Sequence, residues 1–249
     1  MVKSRGFAPA LIIGVCSIIC VAVLMYGLTQ FKKVDVRDGI TATGSASCDF
    51  EADLVVWRGN FGVSGTTSKV AYNKLKRDSE LVRRYLLEAG VTESEMSFSS
   101  VRIWQETLSQ YNDNGDYIGD VPGDYKLEQH VDITSSDVDK IEKISKDISA
   151  LIESGVEFES DSPEYYYTKL DELKLQLIDE ATSNAKERVD IVARQSGAVL
   201  AGLNSANLGV FQITATNSAN EEYSSGGTFN TSSRYKTASI TVRMNYSVK

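Results

Sequence analysis

Residues 40–63 read ITATGSASCDFEADLVVWRGNFGV, and this stretch decides the fold. It is rich in Val, Thr, Phe and Trp, holds no proline, and predicts two strands, over 40–47 and 50–64. The run Leu54, Val55, Val56, Trp57 is apolar without alternation, the pattern of a strand buried on both faces.

Working outward, Thr66 to Ser68 offer capping hydroxyls. Val70, Ala71, Leu75, Val82, Leu86 and Ala89 then recur at helical spacing up to Gly90, predicting a first amphipathic helix. Alternation returns over 96–111. Asn114-Gly115 marks a turn inside a glycine-rich loop at 112–123, and 124–134 forms the return strand. Ser136 with Asp139 starts a second helix, whose apolar face is Val138, Ile141, Ile144, Ile148, Leu151 and Ile152, closed by Gly155. A short strand at 156–158 leads to Tyr165, Tyr166 and Tyr167. The longest helix runs over 169–196 with an inward stripe of Leu170, Leu173, Leu177, Ala181, Ala185, Val189, Val192 and Ala193. Two final strands, 207–216 and 234–247, flank the polar loop NSANEEYSSGGTFNTSS, whose composition predicts mobility in the absence of a partner. The fold class is α+β: mainly antiparallel strands packed with three amphipathic helices.

Ahead of this domain, residues 7–28 read FAPALIIGVCSIICVAVLMYGL. That is about 22 uncharged residues, which at about 1.5 Å each would cross a hydrocarbon core of about 30 Å. The reading is therefore a cytoplasmic N-terminus at 1–6, a transmembrane anchor at 7–28, a tether at 29–39 and an extracytoplasmic domain at 40–249. Lys3 and Arg5 precede the span, Lys32 and Lys33 follow it, and Asp35 and Asp38 favour the N-terminus inside. No small-residue cleavage site follows the apolar run, and Val15 and Ile19 before Cys16 and Cys20 exclude a lipid attachment signal.

The chain of 249 residues is 42% hydrophobic and 24% charged, so it has material for a sizeable core without disulfides or metals. A net charge of -8, with basic residues spread along the chain, argues against nucleic acid as a partner. Cys48 is the only thiol of the three lying after the anchor, which leaves two readings: a small buried hydrophobe or a redox thiol.

His130 is the single histidine, so any zinc site, Ser-His-Asp triad or Cys-His dyad within one chain must use it. Its place in an alternating strand points instead to a hydrogen-bonded or exposed residue. Phosphate-loop, dinucleotide-turn and nucleophile-elbow motifs are absent. Asn112 to Asp116 resembles a calcium loop, but Gln110 and Val121 occupy positions that require ligands, and a hairpin turn explains the run. Asp171, Glu172, Asp179 and Glu180 lie among helical lysines as a solvated face. The tyrosines at 165–167 are candidates for an interface or for the core, and an alternative enzyme would use carboxylates with Tyr165 or Tyr167 in a cleft.

The opening ITATGSAS at 40–47, the strand ADLVVWRGNFGV at 52–63, the helix ATSNAKERVDIVARQSGA at 181–198 and LGVFQI at 208–213 together resemble the SIMPL-domain family, over residues 38–249. That family includes YggE-like periplasmic oxidative-stress-defence proteins, and some members form ring-like or channel-like oligomers. The resemblance implies a non-enzymatic, extracytoplasmic homo-oligomer, active by self-assembly or by binding a protein partner. It implies no cofactor and transfers no catalytic residues. With an anchor on every chain, cyclic symmetry is the expected geometry.

Overall fold

The computed structural model describes residues 14, 16–26, 39–218 and 224–249. The expected transmembrane anchor is not upheld: among the described residues, no helix is long and apolar enough to cross a membrane. The single-pass topology, the membrane as a partner and the location assigned from that span fall with it, and the span gives no argument about symmetry. The remainder of 7–28, the N-terminus at 1–6 and the tether up to 38 lie outside the described residues.

In chain order the elements are β1 (Ile40–Glu51), β2 (Leu54–Gly65), α1 (Ser68–Glu88), β3 (Met96–Phe98), β4 (Arg102–Tyr111), β5 (Tyr117–Ser135) and α2 (Val138–Asp147). A 3-10 helix (Ile148–Ser154), β6 (Phe158–Ser160), β7 (Glu164–Tyr166), α3 (Leu170–Ser196), β8 (Leu200–Leu208), β9 (Gln212–Ala215), β10 (Thr228–Phe229) and β11 (Tyr235–Val248) follow. The α+β class and three principal helices agree with the sequence reading. Two compact units divide the chain. One comprises Met1–Ser45, Ala181–Gly209 and Thr241–Lys249, and the other Ala46–Glu180 and Val210–Ile240.

The larger unit is built on a six-stranded sheet in the order β3-β5-β2-β6, with β4 also on β5 and β7 also on β2. All its pairings are antiparallel. Trp57, Phe61, Leu127, Val131 and Ile133 face inward from the sheet onto Ala71, Leu75, Val82 and Leu86 of α1 and Val138, Ile141 and Ile144 of α2. Trp57 is fully buried, and its indole N–H donates to Ser160 Oγ (3.1 Å) and the Asp161 carbonyl (3.0 Å), so no polar atom is stranded in the core. Gly59 leaves room for Phe158, whose ring would lie 2.0 Å from a Cβ there. In this same unit, β9 pairs antiparallel with Lys236–Ser239 of β11 and parallel with β10.

Caps follow local chemistry. Thr67 Oγ1 accepts from the Val70 amide, and Gly90 at φ +89° ends α1 where a side chain would be strained. For α2 the cap is Asp137, one residue later than Ser136, accepting from the Lys140 amide (3.1 Å). The glycine-rich stretch 112–123 is mostly strand: only Asn112 to Asp116 turns, and β5 starts at Tyr117 because Ile118 and the Gly123–Asp124 pair are absorbed as bulges.

In the smaller unit the C-terminal part of α3 lies on β1. Ala181 and Ala185 are fully buried, and a Cβ on Gly44 would stand 2.2 Å from the Ala181 carbonyl oxygen and 2.3 Å from the Ala185 nitrogen. The alanine stripe therefore exists to let helix backbone meet strand backbone. Arg188 donates to the Thr43 carbonyl (2.9 Å) and the Ser45 amide donates to Asn184 Oδ1 (3.2 Å), so α3 side chains satisfy β1 backbone groups. β8 pairs antiparallel with Val242–Val248 of β11, an element the sequence pattern missed.

Candidate functional site

Strand register in the larger unit gathers a polar row on the sheet face opposite the core. Arg58, Asn60 and Gly62 of β2 stand against Asp132, His130 and Glu128 of β5. Glu159 of β6 pairs with Asn60, and Arg102 of β4 pairs with Glu128. Alternation by two places these side chains on one face. Asn60, Gly62, Arg102, Glu128, His130 and Glu159 border a concavity of about 680 Å³, to which Glu157, Ser99, Phe61 and Phe158 also contribute, while Arg58 and Asp132 line a separate one of about 190 Å³.

His130 therefore sits at a groove, half-exposed, as a strand histidine. Its Nε2 is 3.5 Å from Asp132 Oδ2, while Asp132 accepts a 2.6 Å bond from Arg58 Nε. That carboxylate raises the Arg58 pKa, first by the hydrogen bond and then by its charge. Ser99 Oγ accepts from the His130 backbone amide (3.1 Å) and donates to the Ser100 carbonyl (3.0 Å), so it is not poised as a nucleophile against the imidazole. Arg102 and Glu128 approach to 3.7 Å. The row is a lattice of opposite charges, and among the described residues no group of His, Cys, Asp and Glu is arranged to hold a metal ion.

A second convergence of charge was invisible in the sequence. Arg234, just before β11, reaches Glu51 at the end of β1 and Asp139 and Glu142 of α2 at 2.5 to 3.2 Å. Its pKa is raised, led by the hydrogen bond to Asp139, and the Asp139 carboxyl is held below its usual range by the same bond. Tyr165 lies beside this knot, its phenol pushed up by burial first and then by the charge of Glu142. Carboxylates do converge with a tyrosine here, but the space beside Tyr165, Tyr166 and Tyr167 is only about 10 Å³. Tyr165 is a core residue at 7% exposure. Tyr166 donates to Glu164 (2.6 Å) and Tyr167 packs on Phe50 at 4.9 Å, both half-buried.

Cys48 is half-buried in β1, its thiol 3.4 Å from the Asp49 carbonyl oxygen. Asp171, Glu172, Asp179 and Glu180 are exposed on α3, with Lys174 3.5 Å from Asp171. Asn112 Oδ1 accepts from the Asn114 and Asp116 amides, closing the hairpin turn that the sequence predicts at the calcium-like run.

The β4–β5 hairpin is an exposed apolar feature of this unit. The β2 partnership of β5 ends at Tyr125, so beyond it the hairpin continues as two strands only. Ile103, Leu108, Tyr111, Tyr117 and Ile118 are each more than half exposed on it, and Trp104 is 39% exposed. An isolated two-stranded ribbon is marginal in water, which makes this an arm in want of a surface.

The SIMPL family profile, described as a protein of unknown function (DUF541), matches residues 40–249. The chain belongs to the SIMPL family. Membership agrees with the resemblance carried by ITATGSAS and ATSNAKERVDIVARQSGA, and the structure supplies their reason: in this SIMPL domain they are the glycine and alanines of one strand–helix approach. No curated protein matches the chain.

Proposed function

We propose that this SIMPL-domain protein acts by binding, through assembly with further copies of itself or with a protein partner, and not by catalysing a reaction. The observation that carries the reading is the β4–β5 arm, which extends past the sheet and exposes aromatic and aliphatic side chains that its own domain does not cover. The paired charges beside His130 support it from the other side, since Arg58 is engaged by Asp132 and Arg102 lies against Glu128. Oxidative-stress defence, which the YggE-like resemblance implies, is the process to which the proposal assigns this binding.

Sedimentation of the full chain across low to high micromolar concentration tests assembly. The proposal expects mass to rise with concentration, and to fall back when Leu108→Ser and Tyr111→Ser are combined. A species that stays monomeric, and whose host tolerates peroxide equally well with the wild-type or the doubly substituted arm, would refute it.

A further inference from the structure

Resting on the assembly reading above, we infer that the outer edge of β4 is where two copies of this chain join, antiparallel, about a two-fold axis through Trp104. β4 pairs with β5 along one side from Arg102 to Tyr111, and among the described residues no strand lies on its other side. An unpaired edge offers a row of amides and carbonyls to any passing strand, so proteins guard edges with bulges, proline and charge.

The hairpin guards one edge and not the other. Between Gln105 and Thr107 the partner moves from Tyr125 to Pro122, so Gly123 and Asp124 together oppose Glu106. Between Gln110 and Tyr111 the partner moves from Gly119 to Tyr117, leaving Ile118 extra. Both irregularities belong to β5, whose free edge over 117–124 also carries Pro122, Asp120 and Asp124. β4 stays regular over its 10 residues, with no proline and no bulge of its own, and its two charges, Arg102 and Glu106, are of opposite sign. Ile103 at 54% and Leu108 at 52% exposure lie along it.

The charges on this edge suit a second copy. Arg102 and Glu106 stand two residues either side of Trp104 and share its face. A two-fold axis at Trp104 brings the tryptophans together and sets Arg102 of each copy beside Glu106 of the other, twice per dimer. The existing neighbours extend the alternation, with Glu128 3.7 Å from Arg102 and Lys126 3.5 Å from Glu106. Moving the axis to Arg102 or to Glu106 would place like charges face to face, which fixes the register.

Charge reversal in the full chain tests this. Arg102→Glu and Glu106→Arg each turn two attractive contacts into repulsive ones, and each should weaken self-association about tenfold. The double variant Arg102→Glu with Glu106→Arg restores opposite signs across the axis and should return close to the wild-type dissociation constant, with circular dichroism and thermal midpoint checking the fold of all three. If the wild type associates but neither single reversal weakens it, assembly stands and this edge is not its interface. If the singles weaken it and the double does not recover, β4 meets something other than a second β4. A monomeric wild type would sink both the edge and the assembly reading.

Discussion

Gly44 is the residue on which the smaller unit turns. Its missing Cβ lets β1 sit against the backbone of α3 at Ala181 and Ala185, where any side chain would lie inside van der Waals contact of main-chain atoms. Backbone cannot yield as a flexible side chain can, so Gly44→Ala should destabilise by about 3 kcal/mol, at the upper end of ordinary overpacking, read as a fall in urea midpoint. In the core of the larger unit, Trp57→Phe removes the two hydrogen bonds of the indole N–H and leaves part of the fully buried indole volume unfilled. A loss of about 1–3 kcal/mol follows by the same measurement. Glu95 makes the stability pH-dependent. Hydrogen bonding from Ser135 first, then from Thr92, holds its carboxyl at about 2, well below its ordinary 4.5. A depressed carboxyl contributes stability that is present above the unfolded pKa and lost as pH falls through the folded one. Denaturation midpoints should therefore drop between about pH 4.5 and 2, and Glu95→Gln should flatten that segment of the curve.

At the scale of elements, Arg234 ties the end of β1, α2 and the start of β11 together through Glu51, Asp139 and Glu142. Arg234→Met removes one cation from three carboxylates and should cost about 1–3 kcal/mol in urea unfolding, with added salt recovering part of it. None of this was legible in the sequence, because the partners lie 92 to 183 residues away and no local pattern marks them. α1 and α3 were legible, since periodic apolar residues and the stops at Gly90 and Gly197 belong to each element itself, whereas the apolar run read as one helix up to Gly155 is α2 ending at Asp147 and then a 3-10 helix, which Gly155 closes. β8 was not: LAGLNSANL carries no alternation, and only its ladder to β11 makes it a strand. The hairpin turn at Asn112 to Asp116 could be read from its side chains, whereas the early start of β5 could not, because bulges are settled by the partner strand. His130 was correctly read as a strand residue; the groove around it depends on which residues of β2, β4 and β6 the register sets beside it.

For the molecule as a whole, the regular outer edge of β4 points to an isologous pair, in which the same strand meets itself and the open edge is closed. Binding of this kind also fits a domain with ion pairs matched around Arg58, Arg102 and Arg234 and with Ile103, Trp104, Leu108, Tyr111, Tyr117 and Ile118 exposed together on one two-stranded arm. The most direct measurement is sedimentation equilibrium of the full 27.3 kDa chain at several concentrations, run beside the Arg102 and Glu106 reversals. The account predicts a concentration-dependent species of at least twice that mass, weakened by either reversal and recovered when the two are combined. A mass of 27.3 kDa at every concentration would contradict it.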